Sequence, residues 1–460
     1  MAIVSPARLA PAPTQIVPIA PAAKAVCARG LLGAGLTLMV AALLWLTRTQ
    51  YAMPPLCQAD WWGIDPPAPS HWAQHLHFAL PHPLPPAQWN RQFRAGVGLL
   101  WLGYGLVVCG ARRTAPSLRT TLLLTAGFAF ALALFAPPVL STDVYAYAAS
   151  GRLAVLYDQN PYVALPYSFL HWANDPVQYF LAWDLPTVYG PVWTALSVAL
   201  VDALPHSWLW GQVLYLKLVE ALALCGLAWS AGRIAEHVQP GRGRLAALLV
   251  GTCPLLLMEG TGSGHNDLLM MACLFAAFAS FLERKHGRAG IWLGLAAGIK
   301  LLPLVLLPWL LLDIKRTLPD APARRRAMFY LIAGMLLPLV LGYACFWHGS
   351  AIWDTLHRRT QNGHGGLLWA GLAYVAVSVW LGTRRRMPTP WLPAWSVWSA
   401  VFMLTGLGFA FPWYISWFWP ALALRGGRAF QVLFAVVFVF AGIWESLYGT
   451  LRPVVLSAGH

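Results

Sequence analysis

Long apolar runs alternate with short clusters of basic residues along most of this sequence. Such a pattern leaves few possible folds, because each run is long enough for a helix to cross about 30 Å of hydrocarbon. Only 10% of the residues are charged, whereas soluble domains carry roughly a quarter. We therefore predict an all-α polytopic membrane protein. The uninterrupted runs lie at 30–47, 94–111, 120–140, 208–231, 244–259, 266–282, 327–346, 365–383, 394–411 and 428–448.

The basic composition does not indicate a nucleic-acid-binding protein. The formal net charge is +15, but the basic residues fall between apolar runs, where anionic lipid headgroups are the expected partners. The seven cysteines show neither the spacing of a zinc site nor that of a disulfide framework. We predict membrane lipids as partners, no nucleic acid, no metal ligands and no cofactor, since nothing in the sequence supports a divalent cation.

The basic clusters orient the predicted helices through the positive-inside rule. If the apolar stretch 188–206 spans the membrane, two clusters fall outside; if it returns to the side it left, every cluster falls inside. The second alternative predicts about 13 transmembrane segments in the cell (inner) membrane, with a cytoplasmic N-terminus. The periplasmic or extracellular face then receives the loops 48–93 and 347–364. The run 289–314 contains Lys300 and Pro303, which predicts two short segments joined by a turn.

An acidic residue, Asp143, follows the third apolar run in the block Ser141–Tyr147. A carboxylate at the edge of the membrane is costly unless it is paired or faces water. Its position suits a general base acting on a substrate that arrives in the bilayer. The alternative is an aspartate that caps the next helix. Tyr145 is predicted as an interfacial anchor or a sugar-stacking ring.

A second polar block, with three glycines, separates two apolar runs at residues 259–267. The glycines allow the backbone to approach a ligand closely, and ionisable groups at a membrane edge favour a functional site. The alternative is a polar loop in which Asn266 or Asp267 caps the following helix. The candidate binding residues of this block are Glu259, His265, Asn266 and Asp267.

Lys300 lies alone in an apolar run and needs an anionic partner. A lipid-linked phosphate, Asp143 or Asp267 could provide it; the alternative is a side chain that extends to the headgroups. Lys217 and Glu220, at i and i+3 of one helix, are predicted to neutralise each other.

Further candidates lie in aromatic and basic segments. Tyr189 opens the stretch 190–206, and Trp413 belongs to an aromatic segment on which a sugar could pack, although an interfacial aromatic belt is the commoner explanation. The loop 347–364 is basic and suits phosphate contact. Its candidates are Arg358, Arg359 and His364.

Taken together, these blocks resemble the polyprenol-phosphate-mannose-dependent α-1,6-mannosyltransferases, membrane glycosyltransferases of the GT-C class. The resemblance runs from about residue 95 to 425. It rests on Ser141–Tyr147 with Arg152, Asn160-Pro161-Tyr162, Tyr189-Gly190-Pro191, Gly264-His265-Asn266-Asp267, Gly298-Ile299-Lys300 and Pro412-Trp413-Tyr414.

The resemblance implies a GT-C architecture with juxtamembrane helices at 143–157 and 190–206 and a donor that carries its sugar on a polyprenyl phosphate. Asp143 would be the general base, and Lys300 would contact the lipid phosphate. The GT-C class usually places its acidic loop after the first span, whereas here two spans precede it. Residues assigned to the sugars are Glu259, His265, Asn266, Asp267, Tyr145, Tyr189 and Trp413, and those assigned to the phosphate are Lys300, Arg152, Arg358, Arg359 and His364.

The predicted organisation has four regions. Residues 1–28 form a disordered cytoplasmic tail, and 29–119 form a helical hairpin around the loop 48–93. The GT-C-like catalytic module covers 120–346, and 347–460 hold the C-terminal helices. The predicted function is inverting transfer of a sugar, mannose by the resemblance, to a glycan or glycolipid acceptor on the outer face. The alternatives are a lipid or glycan transporter or flippase, whose polar residues would extend to both faces, and a non-catalytic scaffold.

Overall fold

The structure, a computed structural model, describes residues 21–52, 84–138, 140–170, 174–181, 185–350, 354, 371–372, 374–376, 378, 389, 391–401, 412–424, 432 and 435–443. Within these residues the chain is helical and contains no β-strand. The predicted all-α class is therefore confirmed.

The described helices follow the apolar runs closely. They are α1 Pro21–Tyr51, α2 Pro86–Thr114, α3 Leu118–Phe135, α4 Asp143–Tyr157, α5 Pro166–Leu170, α6 Pro191–Asp202, α7 Leu209–Val238, α8 Gly243–Gly251, α9 Asp267–Leu282, α10 His286–Ile299, α11 Leu307–Thr317, α12 Ala321–Phe346, α13 Trp391–Val401 and α14 Trp419–Ala423. Short 3₁₀-helices cover Pro176–Phe180, Leu302–Leu306 and Pro412–Trp417, and a π-helix covers Leu256–Gly262.

Five of the described helices, α1, α2, α3, α7 and α12, are long and apolar enough to cross a membrane. The number becomes six if α8 and the π-helix, which meet at a bend of 57°, form one broken span. The chain is therefore a multi-pass membrane protein. Other predicted segments are shorter than a span, such as α9 with 16 residues. The predicted segments 365–383 and 428–448 lie mostly outside the described residues.

Two predicted boundaries can be compared with the ends of the observed helices. The tail predicted for 1–28 is wrong at its end, because α1 already begins at Pro21. Proline is favoured at the first position of a helix and alanine has the highest helix propensity. The helix therefore begins before the apolar run does. The predicted break at Lys300 is confirmed: α10 ends at Ile299, and Lys300 has extended backbone angles. The loops 48–93 and 347–364 lie largely outside the described residues.

The helices α1 and α2 form a hairpin that packs onto the rest of the molecule through aromatic residues. Small residues let the two backbones approach closely: a Cβ on Gly35 would lie 2.6 Å from the carbonyl oxygen of Gly103. On the other face of α2, Tyr104 donates a hydrogen bond to the carbonyl of Leu249 in α8, at 2.6 Å. Its ring also packs against Trp419 in α14. The hairpin is thus connected to the elements around the polar cluster described below.

The segment between α3 and α7 contains α4, α5 and α6, none of them long enough to cross the hydrocarbon. With 12 residues, α6 measures about 18 Å. It ends at Asp202, four residues before the predicted end of this stretch. Gly151 of α4 lies against the backbone of Ser197 in α6, so these two helices form a tight pair. The α4–α6 pair holds Asp143 at its start and Tyr189 just before α6.

Candidate active site

The polar residues that the sequence analysis selected come from different parts of the chain and meet in one cluster. Asp143 is the first residue of α4, and Glu259 belongs to the π-helix. His265, Asn266 and Asp267 form the turn into α9. Lys300 follows α10, and the 3₁₀-helix Pro412–Trp417 covers one side.

The π-helix and the following turn give this cluster its shape. Single-turn π-helices are rare and occur frequently at functional sites. Gly264 then turns the chain with a φ of +78°, a conformation that favours glycine. A Cβ at Gly264 would lie 3.0 Å from a methyl group of Val144 and 3.1 Å from Cγ of Lys217. Glycine is therefore required here both by its backbone angle and by the close packing.

His265 lies between two carboxylates. Its Nδ1 is 3.4 Å from Oδ2 of Asp143, and its Nε2 is 3.6 Å from Oε2 of Glu259. The imidazole ring stacks on Trp413, with ring centroids 4.0 Å apart. The histidine is completely buried. These contacts fix the ring plane and keep the Asp143 carboxylate beside it.

Asp143 is the most accessible carboxylate of the cluster. Its side chain is 29% exposed, compared with 3% for Glu259 and 2% for Asp267. Tyr189 donates a hydrogen bond from its hydroxyl to Oδ2 of Asp143, at 3.2 Å. Among these acids, Asp143 is thus the one that an incoming substrate can reach.

Asp267 and Lys300 form an ion pair deeper in the cluster. The Lys300 ammonium donates to Oδ1 of Asp267 at 2.6 Å, and the indole N–H of Trp417 donates to the same oxygen. The ammonium also lies 5.8 Å from the ring centre of Tyr414 and 5.7 Å from that of Trp417. Aromatic faces attract cations at such distances. The structure therefore gives Lys300 the partner Asp267, one of the partners expected from the sequence.

The loop before α6 joins this ion pair through its backbone. The N–H of Gly190 donates to the carbonyl of Ile299 at 2.8 Å, directly before Lys300. A Cβ on Gly190 would collide with the carbonyl oxygen of Gly298. Tyr189 and Lys300 are therefore held on adjacent pieces of backbone, and a glycine is what allows the approach.

Some buried polar atoms of the cluster make no hydrogen bond to the described part of the chain. They include both amide atoms of Asn266 and Oδ2 of Asp267. Buried polar groups are almost always hydrogen-bonded, so each exception requires an explanation. Asn266 is fully buried and lies beside His265 and Asp267. Its unused donor and acceptor are suited to a polar ligand.

Tyr145 lies in aromatic packing rather than among these polar groups. Its ring stacks on Phe180 at 4.5 Å and meets Trp210 edge-on. It is buried. Packing of α4 against the 3₁₀-helix Pro176–Phe180 explains this position, and the sugar contact of Tyr145 stays a prediction.

Arg152 is also engaged by the protein itself. Its Nε donates to both carboxylate oxygens of Asp175 at 3.0 and 2.8 Å, and its Nη1 donates to the carbonyl of His206 and to Gln212. Tyr157 donates to the same carboxylate at 2.8 Å, and burial together with Asp175 raises the pKa of Tyr157 to about 12. Because these contacts occupy Nε and Nη1 of a buried side chain, we leave Arg152 out of a phosphate site and assign it to the folding of the α4–α6 pair.

The predicted pairing of Lys217 with Glu220 is wrong. The Lys217 ammonium donates to the carbonyls of Leu132 and Ala136, at the end of α3, whereas Glu220 accepts the backbone N–H of Leu269 at 3.0 Å. Lys217 therefore caps the C-terminal end of α3, where free carbonyl groups favour a positive charge. Glu220 caps the N-terminal end of α9, where free N–H groups favour a negative charge. The spacing of the two residues within one helix does not predict these partners.

The predicted phosphate ligands Arg358, Arg359 and His364 lie outside the described residues. The contact of Trp417 with Asp267 cannot be predicted from the sequence, because no local pattern indicates that an indole faces a distant carboxylate. In the described part of the chain, no group of His, Cys, Asp and Glu side chains is arranged to hold a metal ion.

Comparison with known proteins identifies the family. A profile described as alpha-(1->6)-mannopyranosyltransferase, N-terminal domain, matches residues 69–316, a range that includes Asp143, Asp267 and Lys300. The chain is 27% identical over 250 residues to alpha-(1->6)-mannopyranosyltransferase A of Mycobacterium tuberculosis, covering 53% of this chain and 46% of that protein.

A second relative gives the same result. Alpha-(1->6)-mannopyranosyltransferase A of Corynebacterium glutamicum is 25% identical over 254 residues, or 50% of this chain and 49% of that protein. The chain thus spans about half the length of these relatives. Since the profile covers more than half of this chain, including the polar cluster, the chain belongs to the alpha-(1->6)-mannopyranosyltransferase family.

Proposed function

We propose that this chain is a membrane mannosyltransferase that moves a mannosyl residue from a polyprenyl phosphate to a glycan or glycolipid acceptor, with inversion at the anomeric carbon. The names of the family and of both relatives support mannosyl transfer. The observation that carries the proposal is the presence of an accessible carboxylate, Asp143, in the same cluster as the partly buried Asp267–Lys300 ion pair.

Asp143 is the proposed general base. A base must reach the proton that it removes, and Asp143 is the accessible acid of the cluster. Tyr189 and His265 hold its carboxylate by contacts to Oδ2.

The reaction proceeds as a direct displacement. Asp143 removes the proton of the acceptor hydroxyl as its oxygen forms a bond to the anomeric carbon of the donor. The bond from that carbon to the phosphate oxygen breaks, and its electron pair leaves with the polyprenyl phosphate. The displacement inverts the anomeric centre. Asp143 carries the proton at the end of the step and returns it to water.

Lys300 stabilises the charge that develops on the leaving phosphate. A cation held in place before the reaction lowers the barrier without reorganising during it. Asp267, Trp417 and Tyr414 surround the ammonium and fix its position. Oδ2 of Asp267, which makes no hydrogen bond to the described protein, is free to accept one from a sugar hydroxyl.

The aromatic and amide groups of the cluster bind the sugars. Trp413 and Tyr414 belong to a 3₁₀-helix that covers His265 and Lys300, and the apolar face of a pyranose packs well on such rings. Asn266 supplies one donor and one acceptor for the sugar hydroxyls.

The proposed side of the reaction is the outer face. Under the positive-inside rule, the basic clusters point to the cytoplasm, which leaves Asp143 and the turn 259–267 outside. Nucleotide sugars are made in the cytoplasm and do not reach that face. A donor that enters through the bilayer on a polyprenyl phosphate meets this requirement.

The experiment that tests this function is an assay of purified protein with a panel of polyprenyl-phosphate sugars and glycan or glycolipid acceptors, with products read by mass. We expect one added hexose when polyprenyl-phosphate mannose is the donor and none with nucleotide-linked mannose. Movement of the lipid across vesicles without any covalent product would contradict the proposal and indicate a flippase.

A further inference from the structure

Four arginines surround one cavity at the end of α7 that lies away from the candidate active site. Arg112 and Arg113 come from the last turn of α2, and Arg242 and Arg244 come from the start of α8. The cavity measures about 680 Å³. The cavity is therefore lined by positively charged side chains from two helix ends that are far apart in the sequence.

The position of the cavity along α7 places it near the opposite membrane face. Lys217, near one end of α7, packs beneath Gly264 of the active-site turn. Glu236, which lines the cavity, follows 19 residues later, or about 28 Å along the helix axis. This separation is close to the hydrocarbon thickness of a bilayer. Between them, Arg233 lies over the ring of Trp229 at 4.8 Å, a pair typical of the membrane–water interface.

The described protein offsets only part of the positive charge of this cavity, through a single carboxylate. Glu236 is the one acidic residue among its lining residues. Its two carboxylate oxygens accept the backbone N–H groups of Gly241 and Gly243 at 2.9 and 3.0 Å. No described carboxylate forms an ion pair with any of the four arginines.

Two of the arginines, Arg112 and Arg242, are also close enough to repel one another. Burial and the positive charge of Arg112 lower the pKa of Arg242. Arg242 is partly buried and held by a hydrogen bond from its Nε to the carbonyl of Ala423, at 3.3 Å, so it cannot simply turn away. The first N–H group of α8, that of Gly243, is already bound by Glu236, so the repulsion comes from the arginine side chains. An anion in the cavity would relieve this repulsion.

We infer that this cavity binds the phosphate of an anionic phospholipid headgroup, as a lipid site separate from the candidate active site. Guanidinium groups match phosphate oxygens with paired hydrogen bonds. The level of the cavity, about one bilayer thickness from the active-site turn, favours a headgroup over a soluble anion. The inference does not depend on the proposed reaction.

The test is native mass spectrometry of the detergent-purified full chain with phosphatidylglycerol, phosphatidylcholine of the same acyl chains, and inorganic phosphate. We expect phosphatidylglycerol to bind at least about tenfold more tightly than phosphatidylcholine. R112Q/R242Q should lose about tenfold or more of this affinity. The control R325Q/R326Q removes the same charge from exposed positions at the start of α12 and should retain it.

Three results would overturn the inference. They are equal loss of phosphatidylglycerol affinity in both double variants, no preference over phosphatidylcholine, and displacement of the lipid by inorganic phosphate at equal concentration, which would indicate a soluble-anion site. Melting temperature and size-exclusion profile verify the fold of each variant. If R112Q/R242Q does not fold, R113Q/R244Q at the exposed arginines of the same cavity provides the same comparison.

Discussion

At the scale of single residues, the buried cations of this chain differ in their partners, and the partner determines what each can do. Lys300 pairs with a carboxylate in the polar cluster. Lys217 caps the carbonyls at the end of α3, and Arg152 belongs to a network with Asp175. Since a charge in apolar surroundings always requires a partner, a lone cation in the sequence indicates that a contact exists without indicating which one.

Arg152→Met should destabilise the protein rather than weaken its affinity for a donor. The variant leaves the fully buried Asp175 carboxylate without its cation, which costs about 3 kcal/mol or more. We expect a markedly lower melting temperature with little change in the KM for the donor. The double variant R152M/D175N removes both charges and should recover part of the loss. A raised KM at unchanged stability would instead support the original phosphate assignment.

Asn266→Ala should lower mannosyl transfer and leave the stability of the protein nearly unchanged. The amide makes no hydrogen bond to the described protein, so its removal deletes no protein–protein hydrogen bond and should shift the melting temperature only slightly. If the amide binds a sugar, transfer should fall by about tenfold to a hundredfold. Steady-state assays combined with thermal unfolding check this. Destabilisation as large as that of Arg152→Met, with normal transfer, would assign Asn266 to the fold.

At the scale of elements, the site depends on the way α6 docks onto the end of α10. The Tyr189–Gly190 turn bonds to the carbonyl of Ile299 and so brings the Asp143 side of the cluster next to Lys300. Because α4 packs tightly against α6, this docking also fixes the first turn of α4, which contains Asp143. Two short helices thus align a carboxylate and an ammonium that belong to distant parts of the chain.

Gly190→Ala should therefore disturb the site without affecting membrane insertion. The added Cβ meets the backbone oxygen of Gly298, and overpacking of this kind costs roughly 1–3 kcal/mol. We expect transfer to fall more than tenfold at a normal yield of membrane-inserted protein. The matched control is Gly98→Ala, in an exposed part of α2 where a Cβ meets nothing within 4 Å. Equal activity of the two variants would show that the docking is not needed.

The elements and most of the polar cluster could be predicted from the sequence, because both depend on local signals. Apolar runs of sufficient length predict α1, α2, α3, α7 and α12, and polar blocks at their ends predict Asp143, the turn before α9 and Lys300. The contacts of Arg152 and Lys217 could not be predicted. Their partners are 23 and 81 or more residues away in the chain, and spacing within one helix carries no information on them.

At the scale of the whole molecule, two polar regions lie at opposite ends of α7. One contains the acids, the histidine and Lys300, and the other contains the four arginines of the cavity. The apolar core between them spans about one bilayer thickness. The proposed chemistry and the basic surface thus lie toward opposite ends of this helix.

The central claim is that Asp143 acts as the base at the first of these regions, and the most direct test is mannosyl transfer by Asp143→Asn. The change nearly preserves the shape of the side chain but removes its negative charge and its ability to accept a proton, so we expect transfer to fall by about a hundredfold to ten-thousandfold with the fold intact. The matched control is Asp158→Asn, an exposed left-handed position at the end of the same helix that asparagine tolerates; it should keep full activity. Transfer by Asp143→Asn at the rate of this control would contradict the account.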